Sequence, residues 1–85
     1  MKRFDFLDNT HMYVGEAEEI KPLYRSMERA FDSNKSDYCP MYYNTPKFSP
    51  YKMYGLMVDE NGFFFILSEH VALQIISTER FTVKG

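Results

Sequence analysis

The strongest constraint on the fold is a pair of short apolar runs, Met53–Val58 and Phe63–Leu67, separated by Asp59-Glu60-Asn61-Gly62. Runs of this length and composition, bounded by turn formers, read as the two strands of a β-hairpin. Asn and Gly tolerate a positive φ, and a type I turn followed by a left-handed glycine is a common closure. That closure, with Gly62 as the bulge residue, sets Val58 opposite Phe64 and Leu56 opposite Ile66. A two-residue Asn61-Gly62 turn would shift the register by one and turn over the faces of one strand. The second run, Phe63-Phe64-Phe65-Ile66-Leu67, does not alternate. A strand with one wet face alternates, so this one is expected to be covered on both sides. A helix of the chain can cover one face. The other needs the carboxy-terminal segment, a Tyr-rich loop or another molecule.

The remaining elements fall in around this hairpin. Phe4 and Phe6 share one face of a strand over Lys2–Leu7, with Arg3 and Asp5 on the other. Asp8-Asn9-Thr10 reads as a turn, His11–Val14 as a returning strand, and Gly15 as its end. Ile20, Leu23, Tyr24, Met27, Ala30 and Phe31 recur at spacings of three and four, the apolar stripe of an amphipathic helix. Acidic Glu16, Glu18 and Glu19 before it and Arg25 and Arg29 within it suit the helix dipole. Pro22 would cost roughly 3 kcal/mol inside a helix, which places the expected start near Ile20 or Lys21 and the end at Asp32. Ser68 can cap a short helix over Glu69–Ser77, although the β-branched residues there also permit a strand. Phe81 and Val83 alternate with Arg80, Thr82 and Lys84, marking a final edge strand. The expected fold is therefore α+β: a small antiparallel β-sheet with a central β-hairpin and one main helix packed on one face.

Eighty-five residues make one domain, 1–85, without room for a second core. A chain of this size buries only about 60–65% of its unfolded surface, so modest stability is expected. The net charge is −2, spread as −3 over residues 1–20, +2 over 21–35, +1 over 36–54 and −2 over 55–85. No face carries the run of cations that duplex binding requires. With one cysteine, Cys39, there is neither an internal disulfide nor a cysteine-rich zinc module. The basic start Met-Lys-Arg is followed by no apolar stretch, and no run reaches the length of a membrane span. A cytoplasmic protein is expected.

Few residues invite chemistry. His11, His70 and Cys39 are the soft metal ligands, and none stands at a zinc-like spacing from another. A Cys39–His70 nucleophile pair has no local pattern behind it; a packed thiol and a solvated imidazole explain both residues. The four glycines are isolated, so no phosphate-cradling loop is present. Asp5, Asp8, Glu16, Glu18 and Glu19 could form an acidic patch, but a solvated face with helix-start carboxylates accounts for them. No enzyme, cofactor or metal is expected.

Residues 37–51, Asp-Tyr-Cys-Pro-Met-Tyr-Tyr-Asn-Thr-Pro-Lys-Phe-Ser-Pro-Tyr, stand apart. Pro40, Pro46 and Pro50 forbid a helix and spoil a central strand. Long irregular loops in compact domains often carry function. Tyrosine offers a large apolar area, a hydroxyl and few rotatable bonds, which enriches it at binding hot spots. Prolines reduce the entropy such a loop loses on binding. The rings could instead form a lid over the hairpin's second face, or they could stack nucleobases. The binding residues expected on the recognition reading are Tyr38, Met41, Tyr42, Tyr43, Lys47, Phe48, Tyr51 and Tyr54. A protein partner is expected, with single-stranded nucleic acid as the alternative. There, Tyr42, Tyr43, Phe48, Tyr51 and Tyr54 would stack bases while Lys35, Lys47 and Lys52 met phosphates. A second copy of the chain would also serve as a partner, giving a homodimer; no membrane is implied. The composition, with three alanines and no tryptophan, suits an AT-rich genome, and small motif-free chains are frequent among bacteriophage proteins that disable a host protein.

Overall fold

A computed structural model describes residues 1–33, 49 and 52–78 in full, and residues 39–40 and 81–84 by their backbone. The elements are β1 (Lys2–Phe6), β2 (His11–Glu16), α1 (Ala17–Asp32), β3 (Cys39–Pro40), β4 (Met53–Val58), β5 (Phe63–Ser68), α2 (Glu69–Thr78) and β6 (Phe81–Lys84). The strands form one sheet in the order β3-β5-β4-β2-β1-β6. All neighbours are antiparallel except β3 and β5, which run parallel over two residues at the edge. The fold is α+β, as the sequence implied, with both terminal strands in the sheet.

The central hairpin closes through its glycine bulge. Gly62 has φ 87°, and Val58 faces Phe64 while Leu56 faces Ile66. Asp59 holds the turn: its Oδ1 accepts the N–H groups of Asn61 and Phe63, each at 2.9 Å. A short acceptor side chain at this position satisfies donors that the turn leaves unpaired. The turn between β1 and β2 uses the same device, with Asp8 Oδ1 accepting from the Thr10 N–H at 3.0 Å and Asn9 in the left-handed region at φ 67°.

Period-two alternation sends the strand side chains to two separate apolar clusters. Tyr54, Leu56, Val58, Phe64 and Ile66 bury against Ala17, Ile20 and Tyr24 of α1. The Tyr24 ring meets Phe64 edge-on at 5.6 Å, a geometry that aromatic quadrupoles favour. Phe4, Phe6, Met12 and Val14 bury on the opposite face with Ala72 of α2, flanked by Met57, Leu67, Ile75 and Ile76. On its second face the non-alternating strand meets α2, from the carboxy-terminal segment, at Leu67, while Phe65 is half-buried and Phe63 stays exposed.

Topology explains why the helices take opposite faces. Strands β2 and β5 run in the same direction. The chain leaves β2 through α1 towards the β3 edge, and leaves β5 through α2 towards the β6 edge. Two parallel crossovers of one hand that move in opposite directions must carry their helices on opposite faces.

Two expectations about local structure need correction. Strand β2 continues through Gly15 to Glu16, because Gly15 and Glu16 still pair with Tyr54 and Met53. Helix α1 starts at Ala17, which places Pro22 in its second turn. The N-terminus is fixed from outside the propensity scale. Glu19 reaches back to the Glu16 N–H at 3.4 Å, and the Ala17 N–H donates to the Lys52 carbonyl at 3.1 Å. Pro22 and Glu18 are both exposed, so water can take the carbonyl that a proline N–H would have met. Ile20 and Tyr24, one on each side of Pro22, are buried, and their burial outweighs the defect. Helix α2 follows expectation, with the Val71 N–H at 3.4 Å from Ser68 Oγ, and runs one residue longer, to Thr78.

Candidate functional site

The Tyr/Pro-rich segment is tied to the folded core at both ends. At one end Cys39 and Pro40 form β3 beside Phe63 and Phe64, and an edge strand is where a proline is tolerated. At the other end the Ser49 N–H donates to the Tyr54 hydroxyl at 2.7 Å. The Lys52 N–H then donates to the Ser49 carbonyl at 3.2 Å. Lys52 is exposed, with its backbone carbonyl on the first turn of α1. Tyr38, Met41, Tyr42, Tyr43, Lys47, Phe48 and Tyr51, like Lys35, lie outside the described residues.

Tyr54 is the exception, and it corrects the expected set. It is 3% exposed and belongs to the cluster under α1. It shares its strand face with Leu56 and Val58, so alternation alone sends it inward. Its hydroxyl takes part in holding the end of the segment, so Tyr54 anchors the loop rather than offering a ring to a partner.

A second arrangement was not singled out in the sequence. On the α1 side of the sheet Arg3, Asp5, His11 and Tyr13 come together, with Arg3 opposite Tyr13 and Asp5 opposite His11 in register, and Tyr13 packed against the cluster under α1. Arg3 Nη2 donates to Asp5 Oδ1 at 2.9 Å, its Nη1 donates to the Tyr13 hydroxyl at 3.1 Å, and its guanidinium lies 5.5 Å from the Tyr13 ring centre. The bond to Asp5 raises the Arg3 pKa above its ordinary value. Burial, followed by the charge of Arg3, lowers that of His11. Asp5 neutralises Arg3, and the four side chains act first as a brace across the β1–β2 hairpin. The signal available in the sequence was the alternation of Arg3 and Asp5 with Phe4 and Phe6.

The acidic residues near the chain start are dispersed into separate tasks. Asp5 is paired with Arg3, and Asp8 holds a turn. Glu19 meets the α-amino group of Met1 at 2.9 Å, a hydrogen bond that lowers its pKa. The Glu16 pKa is raised by its contact with Glu18. Cys39 and His11 have β5 and β4 between their strands, and His70 is exposed at the start of α2. Among the described residues no three His, Cys, Asp or Glu side chains gather to hold a metal ion, and no described helix is long and apolar enough to cross a membrane.

Comparisons with protein-family models, with curated proteins and with solved structures give no match.

Proposed function

We propose that this chain is a small non-enzymatic protein-interaction module, an inhibitor or adaptor that docks through its Tyr/Pro-rich segment. The observation that supports this reading most is the cover of the central hairpin. α1 packs on one face and α2 meets Met57 and Leu67 on the other, so each face of the hairpin already has a helix of the chain against it before the rings of residues 38–51 are counted. The segment combines Tyr38, Tyr42, Tyr43, Phe48 and Tyr51 with three prolines and is held to the core at both ends. A tethered, proline-stiffened set of phenol rings loses little entropy on binding and offers both apolar area and hydroxyls. Stacking of single-stranded nucleic acid is the weaker alternative, since Tyr54 is in the core and the chain is net acidic.

The test is a double variant, Tyr42→Ala with Tyr43→Ala, used with the native chain as bait in a lysate of the source cells. The expected result is a native-like circular dichroism spectrum and urea midpoint, with loss of a captured protein that survives nuclease and depends weakly on salt. An unfolded double variant would return the rings to the core and end the proposal. Capture that nuclease abolishes, with a steep salt dependence, would transfer it to nucleic acid.

A further inference from the structure

At the end of the sheet that carries both tight turns, α2 leaves a half-open cleft of about 250 Å³. Phe6 of β1, Met57 of β4 and Ile75 of α2 give it apolar walls, and Asp8, Thr10 and Asp59 give it polar ones. The two carboxylates come from the two turns, and each has one oxygen committed to its turn. Asp8 Oδ1 accepts from Thr10, and Asp59 Oδ1 from Asn61 and Phe63. The remaining oxygen of each accepts no hydrogen bond, and neither carboxylate forms an ion pair, among the described residues. Helix α2 has no basic residue in its last turn, and the partial negative charge of its C-terminal end is met there by the Ser77 and Thr78 hydroxyls, which donate to the Gln74 and Ile75 carbonyls. Glu60 adds a third carboxylate in the same turn as Asp59. An apolar trough beside two carboxylates that, among the described residues, have no ion pair fits one kind of group well: a cation at the end of an aliphatic stem.

We propose that this cleft receives a lysine or arginine side chain of a partner protein. The stem would lie on Phe6, Met57 and Ile75, and the charged head would take the open oxygens of Asp8 and Asp59. Long basic side chains bury their stems readily on apolar surface, and charge-assisted hydrogen bonds to carboxylates are about twice as strong as neutral ones. The cleft uses none of the Tyr/Pro-rich residues, so the proposal stands or falls separately from the docking of those rings.

The test is a nuclear magnetic resonance titration of the full chain with three capped tripeptides. Gly-Lys-Gly and Gly-Arg-Gly carry the cation, and Gly-norleucine-Gly carries the same kind of stem without charge. The basic peptides should give saturable shifts at the Met57 and Ile75 methyl groups and the Asp8 and Asp59 amides, with at least about fivefold tighter binding than norleucine. Asp8→Asn and Asp59→Asn keep an oxygen to accept the turn bonds while removing the charge. Each should weaken the basic peptides severalfold and leave norleucine unchanged. If a variant fails to fold, the native chain still decides, because binding of the basic peptides must fall on raising the salt to about 0.5 M. Three outcomes overturn the proposal. One is equal binding of norleucine. Another is binding by calcium chloride at Asp8 and Asp59 while the basic peptides cause no shift. The third is a gain of tenfold or more in peptide affinity on Arg80→Ala. Arg80 directly precedes Phe81, the register partner of Phe6, and such a gain would make the chain's own arginine the occupant.

Discussion

On one side of the sheet α1 lays Ile20 and Tyr24 into a cluster with Tyr54, Leu56, Val58, Phe64 and Ile66; on the other, α2 buries Ala72 and leaves Ile75 and Ile76 half-covered. By composition the order is reversed. α2 is the more apolar helix, yet it exposes Leu73 at 53% and Val71 at 38%, while the more polar α1 carries the larger core. Burial follows from how residues are arranged round a helix and how closely the helix can approach, not from average hydropathy. The approach of α2 is set by Gly55. A methyl group there would lie 2.9 Å from the Ala72 Cβ and 3.3 Å from the Met12 Sδ, so the small pair Gly55–Ala72 brings helix and sheet together where α1 uses large interlocking side chains.

The comparison can be broken most directly with one residue type on both sides. Ile20 is 0% exposed, and Ile20→Ala should cost about 2–5 kcal/mol, a large part of the stability of so small a domain. Ile75→Ala removes the same atoms from a half-buried site and should cost about half as much. Urea unfolding of the two variants measures this, and equal losses would show that α2 carries as much of the core as α1. The contact at Gly55 comes next. Gly55→Ala should destabilise by about 1–3 kcal/mol through overpacking. Adding Ala72→Gly should recover part of that loss, since residues in contact couple in a double-mutant cycle. A purely additive pair would remove Gly55 as the spacer for α2. The smallest effect is expected at Leu73. Leu73→Lys should change stability by no more than about 0.5 kcal/mol, and a clear loss would mean that this side of α2 is covered.

The central hairpin was legible to the level of register, because turn chemistry and alternation are local. Asp59, Asn61 and Gly62 specify the closure, and a register error would turn Val58 or Phe64 outward. The α1 stripe was also legible, yet its start was not. Pro22 argued for a later beginning, and the helix begins at Ala17 through the Glu19 contact and the Lys52 carbonyl. Half of this support comes from a residue far along the chain. Leu23 and Phe31, which the periodicity ranked with Ile20, prove only half-buried, since a stripe gives a direction but not the width of the sheet beneath it. The candidate site was legible as a composition, three prolines among five tyrosine and phenylalanine rings between Tyr38 and Tyr51. The inward turn of Tyr54 was missed because tyrosine serves equally in cores and at interfaces. The Arg3–Asp5–His11–Tyr13 brace needs β1 and β2 paired in register, and the Asp8–Asp59 cleft needs two hairpins set side by side.

The sequence by itself determined most of the units: two hairpins and an amphipathic helix, with a capping serine before an apolar segment that it left open between helix and strand. These rest on turn preferences and on periods of two and 3.6 residues, both readable within a short window. Only the tertiary structure decided which helix covers which face, how near α2 comes to Gly55, and which acidic side chains share a cleft. Those outcomes depend on the hand of the crossovers and on contacts between residues distant in the chain.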